Sequence, residues 1–144
     1  MPTRRAHTTW TGGLEDGTGT VTLVSSGIGS YELSFPKRAA DDADGTTSPE
    51  ELIAAAHAGC FSMALAAGLE QAGFTATHIE TKAVVTLDKD GDGFAITTVD
   101  LTCRARVPRI DTDAFDQIAQ ATKAGCPVSK VLKARIQLDA QLEA

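Results

Sequence analysis

Two cysteines far apart in the chain each sit in a setting that could activate a thiol. Cys60 lies in Ala55-Ala56-His57-Ala58-Gly59-Cys60-Phe61-Ser62-Met63, and Cys126 in Lys123-Ala124-Gly125-Cys126-Pro127-Val128-Ser129-Lys130. A thiolate is a nucleophile and a redox centre, and a second thiol within reach turns one oxidation into a recyclable disulfide. Gly125 should end one helix and Pro127 begin the next, which puts Cys126 at or near an N-cap. Unpaired N–H groups and the positive helix end favour a thiolate there. Cys126-Pro127-Val128-Ser129 also has the form of a redox C-P-x-C motif with its second sulfur replaced by oxygen. Cys60 falls near the middle of a helix, away from either dipole end, so charged neighbours must activate it. His57, three residues earlier, faces the same side.

Each of these residues has a plainer reading. Cys126 could fill a helix junction, Cys60 could be core in an alanine-rich stretch, and His57 could line a pocket or be a hydrogen-bonded core residue. The third cysteine, Cys103, shares a strand face with Val99, Leu101 and Val107 and reads as core. Asp88-Lys89-Asp90-Gly91-Asp92-Gly93 matches the first half of a calcium loop, but the acid required at the twelfth position is Val99 and no helices flank it. It reads as a solvated hairpin turn, and no metal site is expected.

The elements that must position the thiols follow from pattern. Gly19 to Ser25 is β-branched, and Tyr31, Leu33 and Phe35 alternate with polar residues and Pro36, as in a half-buried strand. Lys37 to Thr47 reads as a polar loop. Ser48 as N-cap, Pro49 at the first helical position and Glu51 three residues on predict a helix from Ser48 to Ala72, ended by Gly73. At about 1.5 Å per residue it is roughly 35 Å long. Its middle is mostly Ala, Gly and Cys, so it should be buried on most sides, inside the domain or against a second copy. Two strands follow, with Ile79, Thr81, Ala83, Val85 and Leu87 on one face of the first and Val99 to Val107 in the second. Asp111 or Thr112 caps a helix carrying Phe115, Ile118 and Ala119. Pro127 starts a short helix with Val131 and Leu132 inward. Ile136, Leu138, Ala140 and Leu142 alternate in a last strand. The expected class is α+β, mostly antiparallel, in one domain over residues 1–144.

Bulk properties narrow the function. The 144 residues, 42% of them apolar, suffice for a single core. No run of ~18 consecutive apolar residues predicts a membrane span, and Met1 to His7 lacks the apolar segment of a secretory signal, so a cytoplasmic location is expected. A net charge of −6 argues against nucleic-acid binding. Three cysteines without C-x-x-C spacing read as free or catalytic thiols, not a disulfide framework.

Together these residues resemble the OsmC family (osmotically inducible protein C), thiol peroxidases that reduce organic hydroperoxides and hydrogen peroxide. The resemblance covers nearly the whole chain. It is most specific at Ser48-Pro49-Glu50-Glu51-Leu52-Ile53, at residues 55–65, at Gly93-Phe94-Ala95-Ile96-Thr97 and at residues 123–134. It implies a peroxidatic cysteine at Cys60, a resolving cysteine at Cys126 and a catalytic glutamate at Glu50. An arginine in the strand-to-helix loop, Arg38, fits the subgroup of OsmC proper. The sister group of organic hydroperoxide resistance proteins has its arginine earlier, near Gly19 and Thr20. His57, Phe61 and Met63 become candidate substrate-pocket residues.

The resemblance also implies antiparallel sheets around long central helices in an intertwined homodimer, no cofactor, and regeneration by a dithiol. In the sister group that dithiol is lipoyl. Glu50 precedes Cys60 by ten residues, roughly 15 Å along a helix, too far to act within its own helix. An antiparallel partner helix would bring the other chain's Glu50 and Arg38 to Cys60. The expected function is hydroperoxide reduction through a Cys60 sulfenic acid and a Cys60–Cys126 disulfide. Two rivals are a thiol–disulfide oxidoreductase centred on Cys126 and a non-catalytic dimeric redox sensor or small-molecule binder.

Overall fold

The computed structural model describes residues 1–144, which divide into two compact units, Met1–Pro49 and Glu50–Ala144. The first is a three-stranded antiparallel meander of β1 (His7–Thr11), β2 (Thr18–Thr22) and β3 (Ser30–Leu33). Trp10 pairs with Gly19 across β1 and β2, and its ring covers that backbone so closely that a Cβ at position 19 would lie 2.7 Å from Trp10 Cε3. Only glycine fits there.

The structure corrects the sequence at the end of this unit. The strand expected to run through Phe35 stops at Leu33, and Phe35–Arg38 forms a short helix, α1, where Lys37 and Arg38 were expected in a loop. Ser34 supplies the cause. Its side chain accepts from the Lys37 N–H, and Pro36 in the first turn sets a helical φ. Lys37 pairs with Asp44, fastening α1 to the loop that follows.

In the second unit, β4 (His78–Asp90), β5 (Gly93–Arg106) and β6 (Arg135–Glu143) form a sheet in that order. β4 and β5 pair antiparallel through a two-residue turn, Gly91-Asp92, with Gly91 at φ 61°. This tight hairpin is narrower than the Asp88–Gly93 turn read from sequence. β5 and β6 pair parallel, the exception to the antiparallel sheets expected. A parallel neighbour needs a crossover, and α3 (Thr112–Gly125) with α4 (Pro127–Val131) provides it.

α2 (Pro49–Gln71) is the long helix expected from Ser48 to Ala72. It ends as a Schellman motif. Gly73 sits at φ 88°, its N–H donates to Glu70 O, and the Phe74 N–H donates to Leu69 O. Its buried stripe is His57, Phe61, Leu65 and Leu69, four residues apart. The three apolar members join Val99, Leu101, Cys103 and Ala105 of β5 and Phe115 and Ala119 of α3 in one core. By length and composition α2 could also cross a membrane, but this stripe is core to the sheet. The rest of its apolar surface is less covered within the chain, with Met63 at 72% exposure, so burial on most sides is not met by one chain alone. α4 also differs from expectation: Val131 points outward, while Ser129 is buried and Leu132 packs against the core.

Candidate active site

Cys60 and Cys126 are 66 residues apart in sequence, and their sulfurs lie 2.8 Å apart. The middle of α2 carries one. The joint between α3 and α4 carries the other: Cys126 closes α3, with its N–H donating to Thr122 O, and opens α4, with its carbonyl accepting from the Lys130 N–H. Both thiols are free, Cys60 partly exposed and Cys126 fully buried. Closing a disulfide, whose S–S bond is about 2.05 Å, requires only a small further approach.

The two sulfurs differ in acidity. Burial, then the neighbouring Cys126 sulfur, push the Cys60 thiol above the ordinary cysteine range, while the Val128 N–H works the other way. Burial would raise Cys126 as well. Against it act the Cys60 thiol, the N–H groups of Ser129 and Val128 and the Ser129 hydroxyl, and together they lower the Cys126 pKa. These approaches are looser than a formed cap hydrogen bond, which Cys126 does not make. The helix-start setting expected for Cys126 is therefore present. Within this chain Cys126, not Cys60, is the more readily ionised sulfur.

A second contact runs beside the sulfurs. His57 Nε2 is 2.7 Å from Ser129 Oγ, both residues are buried, and His57 Nδ1 has no partner. Burial lowers the His57 pKa, so the ring is neutral at neutral pH. Sequence reasoning noted Ser129 only as the oxygen of the C-P-x-S motif. Its pairing with His57 was readable only as a matched offset, three residues from each cysteine. Of the other candidate pocket residues, Phe61 is fully buried in the core and Met63 is exposed one turn from Cys60.

Glu50 is 9% exposed in the first turn of α2, ten residues before Cys60, roughly 15 Å along the axis. Arg38 belongs to the N-terminal unit, at the end of α1. There it lines a hollow of about 320 Å³ with Trp10, Leu14, Leu33, Phe35 and Pro49. Trp10 and Leu14 come from outside any segment that the sequence marked as functional. Their signal, an exposed aromatic side chain in β1 and an exposed aliphatic one just after it, is not distinctive in one sequence. Among His, Cys, Asp and Glu side chains no cluster is able to hold a metal.

Residues 41–141 match the family described as OsmC-like protein. Peroxiredoxin OsmC of Escherichia coli is 50% identical over 139 residues, covering 96% of this chain and 94% of that protein. The organic hydroperoxide resistance protein OhrB of Bacillus subtilis superposes with a TM-score of 0.67 at 26% identity, over 96% of this chain and 98% of its own. An OsmC-like protein of Vibrio cholerae shares the fold, with a TM-score of 0.77 at 15% identity over 98% of this chain and all of that one. The α+β fold with two sheets thus has known counterparts. This chain belongs to the OsmC family.

Proposed function

We propose that this chain is a thiol-dependent peroxidase of the peroxiredoxin type, reducing organic hydroperoxides and hydrogen peroxide. The observation that carries the reading is the 2.8 Å approach of Cys60 Sγ to Cys126 Sγ. Access decides which sulfur reacts first, since a peroxide can meet Cys60 but not the fully buried Cys126. The Cys60 thiolate attacks the O–O bond, which breaks, and the departing alkoxide leaves as an alcohol once protonated. Cys60 is now a sulfenic acid. Cys126 attacks its sulfur, an S–S bond forms and the S–O bond breaks. The hydroxide leaves with the bonding pair and takes up the proton given up by Cys126, forming water. An external dithiol, with the lipoyl type as candidate, returns both thiols by exchange.

Arg38 is assigned to Cys60 activation because burial raises that thiol, and a guanidinium keeps its charge when desolvated. It can stabilise both the thiolate and the leaving oxygen. Glu50 is assigned to hold Arg38. The apolar hollow bearing Arg38 favours a peroxide with an organic tail, its polar O–O–H end toward the cation. Since Glu50 lies far along α2 from its own Cys60, the site is assigned to two chains of a homodimer. The apolar surface that one chain leaves exposed at Met63 and on β4 and β5 at Val84 and Phe94 supports that assembly. The relatives' coverage supports one functional domain over residues 1–144, and a cytoplasmic setting suits free thiols.

The lowered pKa of Cys126 favours the rival thiol–disulfide oxidoreductase, but its burial gives a bulky disulfide no access. Turnover separates the two. Cys60→Ser should abolish hydroperoxide reduction, and Cys126→Ser should allow one turnover and then stall. Full multiple turnover by Cys60→Ser would remove the peroxidase reading, and disulfide exchange by Cys126 without Cys60 would install the rival.

A further inference from the structure

Two contacts, not one, join the middle of α2 to the start of α4. Cys60 meets Cys126 at 2.8 Å and His57 meets Ser129 at 2.7 Å. His57 precedes Cys60 by three residues and Ser129 follows Cys126 by three, so the contacts are adjacent rungs between the same two elements. One-turn offsets on both sides mean that fixing one rung fixes the register of the other. The second rung is buried at both ends: His57 is 0% exposed and Ser129 8%.

The protons on this rung can be assigned from what burial costs. His57 is neutral, so one ring nitrogen carries hydrogen and the other a lone pair. With the hydrogen on Nδ1, a buried N–H would have no acceptor, since Nδ1 is unpartnered. With it on Nε2, the N–H donates to Ser129 Oγ and only a lone pair is left without a partner. A stranded donor is the costlier state. Nε2 therefore donates, the serine oxygen accepts, and the serine hydrogen is free to turn toward a third group. The Cys126 sulfur lies one turn back on the same helix, and the hydroxyl acts on it in the direction of the thiolate.

We propose that His57 and Ser129 are positioning residues for disulfide formation. Their hydrogen bond holds α4 in the register that faces Cys126 Sγ to Cys60 Sγ, and it leaves the Ser129 hydrogen free to turn toward the attacking sulfur one turn back on the same helix. This rests on Cys126 being the resolving cysteine, and it adds two residues to that step. The chemistry is unchanged and balanced: Cys126 loses its proton and attacks, the Cys60 S–O bond breaks, and hydroxide leaves as water with that proton. The rung supplies orientation and a hydroxyl near the sulfur, and it consumes nothing. The titratable groups at the two rungs are Cys60, Cys126 and His57.

The test follows one equivalent of hydroperoxide through both steps in the full-length protein. Oxidation of Cys60 is read as loss of peroxide, and disulfide formation as decay of dimedone-trappable sulfenic acid. Ser129→Ala removes a single oxygen atom and leaves the packing of apolar side chains untouched. It should slow disulfide formation about tenfold, the effect of losing one buried hydrogen bond, and slow Cys60 oxidation much less. His57→Leu should slow disulfide formation similarly, and His57→Gln, which keeps an N–H able to reach Ser129, should recover most of the rate. In a Cys60→Ala/Cys103→Ser background, Ser129→Ala should also shift Cys126 ionisation to higher pH.

Unchanged disulfide formation in Ser129→Ala overturns the proposal. Equal slowing of both steps also overturns it, since that marks a purely structural role. Full multiple turnover by Cys126→Ser is a separate result, and it removes the resolving role on which the rung depends.

Discussion

Cys60 rises from the middle of a 23-residue helix, partly open to solvent, whereas Cys126 is sealed at the joint of two helices. Cys60 is far from either end of its own helix and burial raises its thiol; around Cys126 the Cys60 thiol, two N–H groups and a hydroxyl outweigh burial and lower it. The accessible sulfur is thus the reluctant acid, and the acidic sulfur is the inaccessible one. Such a division suits two steps in sequence. The first reactant must admit a peroxide and can take its activation from a cation brought to it. The second needs no access to solvent, only a ready thiolate beside the sulfur already oxidised.

The largest way to break this contrast is to remove the cation. Arg38→Met should raise the pH at which Cys60 is alkylated, in a Cys103→Ser/Cys126→Ser background, and slow peroxide reduction on the order of a hundredfold. An unchanged titration would transfer the role to another cation, with Lys37 next in the chain; His57, neutral at that pH, could not take it. Mixing Arg38→Met chains with Cys60→Ser chains tests where that arginine comes from. Mixed dimers should regain activity if the arginine of one chain serves the cysteine of the other, and should stay inactive if each chain is self-sufficient or monomeric.

Glu50→Gln should act in the same direction and less, about tenfold, because it loosens the arginine without removing it. An effect as large as that of Arg38→Met would mean that the carboxylate itself takes part in the chemistry.

The smallest effect concerns the rung of His57 and Ser129 beside the two sulfurs. His57 is held below its ordinary value of 6.5, so below about that pH the unfolded chain binds a proton that the folded one resists. The folded state then loses stability as pH falls from 6.5 toward the folded pKa, and this contribution is fully present above 6.5. Thermal melts across mildly acidic pH should show that slope in the native protein and a flatter one in His57→Gln. Equal slopes would mean that His57 is not the group titrating.

How much of this was legible depended on how local each cause is. α2 was readable because Ser48, Pro49, Glu51 and Gly73 are all short-range signals, and the buried alternation of β6 was readable for the same reason. α1 was locally encoded as well, by Ser34 and Pro36, but the alternation of Tyr31, Leu33 and Phe35 pointed to a continuing strand. A serine able to cap the Lys37 N–H outweighed it. The direction of β6 depends on the crossover through α3 and α4, which periodicity does not register. In a helix as short as α4, pattern could not tell that Ser129 would turn inward and Val131 outward. The residues gave each thiol its own setting, and only the family resemblance paired Cys60 with Cys126. Their contact, and that of His57 with Ser129, arise from packing between segments about seventy residues apart.

The central claim is an order of events, Cys60 first and Cys126 second. Treating the native protein with one equivalent of an organic hydroperoxide, then mapping the sulfur products by mass spectrometry beside Cys126→Ser, tests it most directly. The native protein should yield a Cys60–Cys126 disulfide, and Cys126→Ser should yield sulfenic acid on Cys60 alone. Oxidation landing on Cys126 in Cys60→Ser at the native rate, or a native disulfide that includes Cys103, would contradict it.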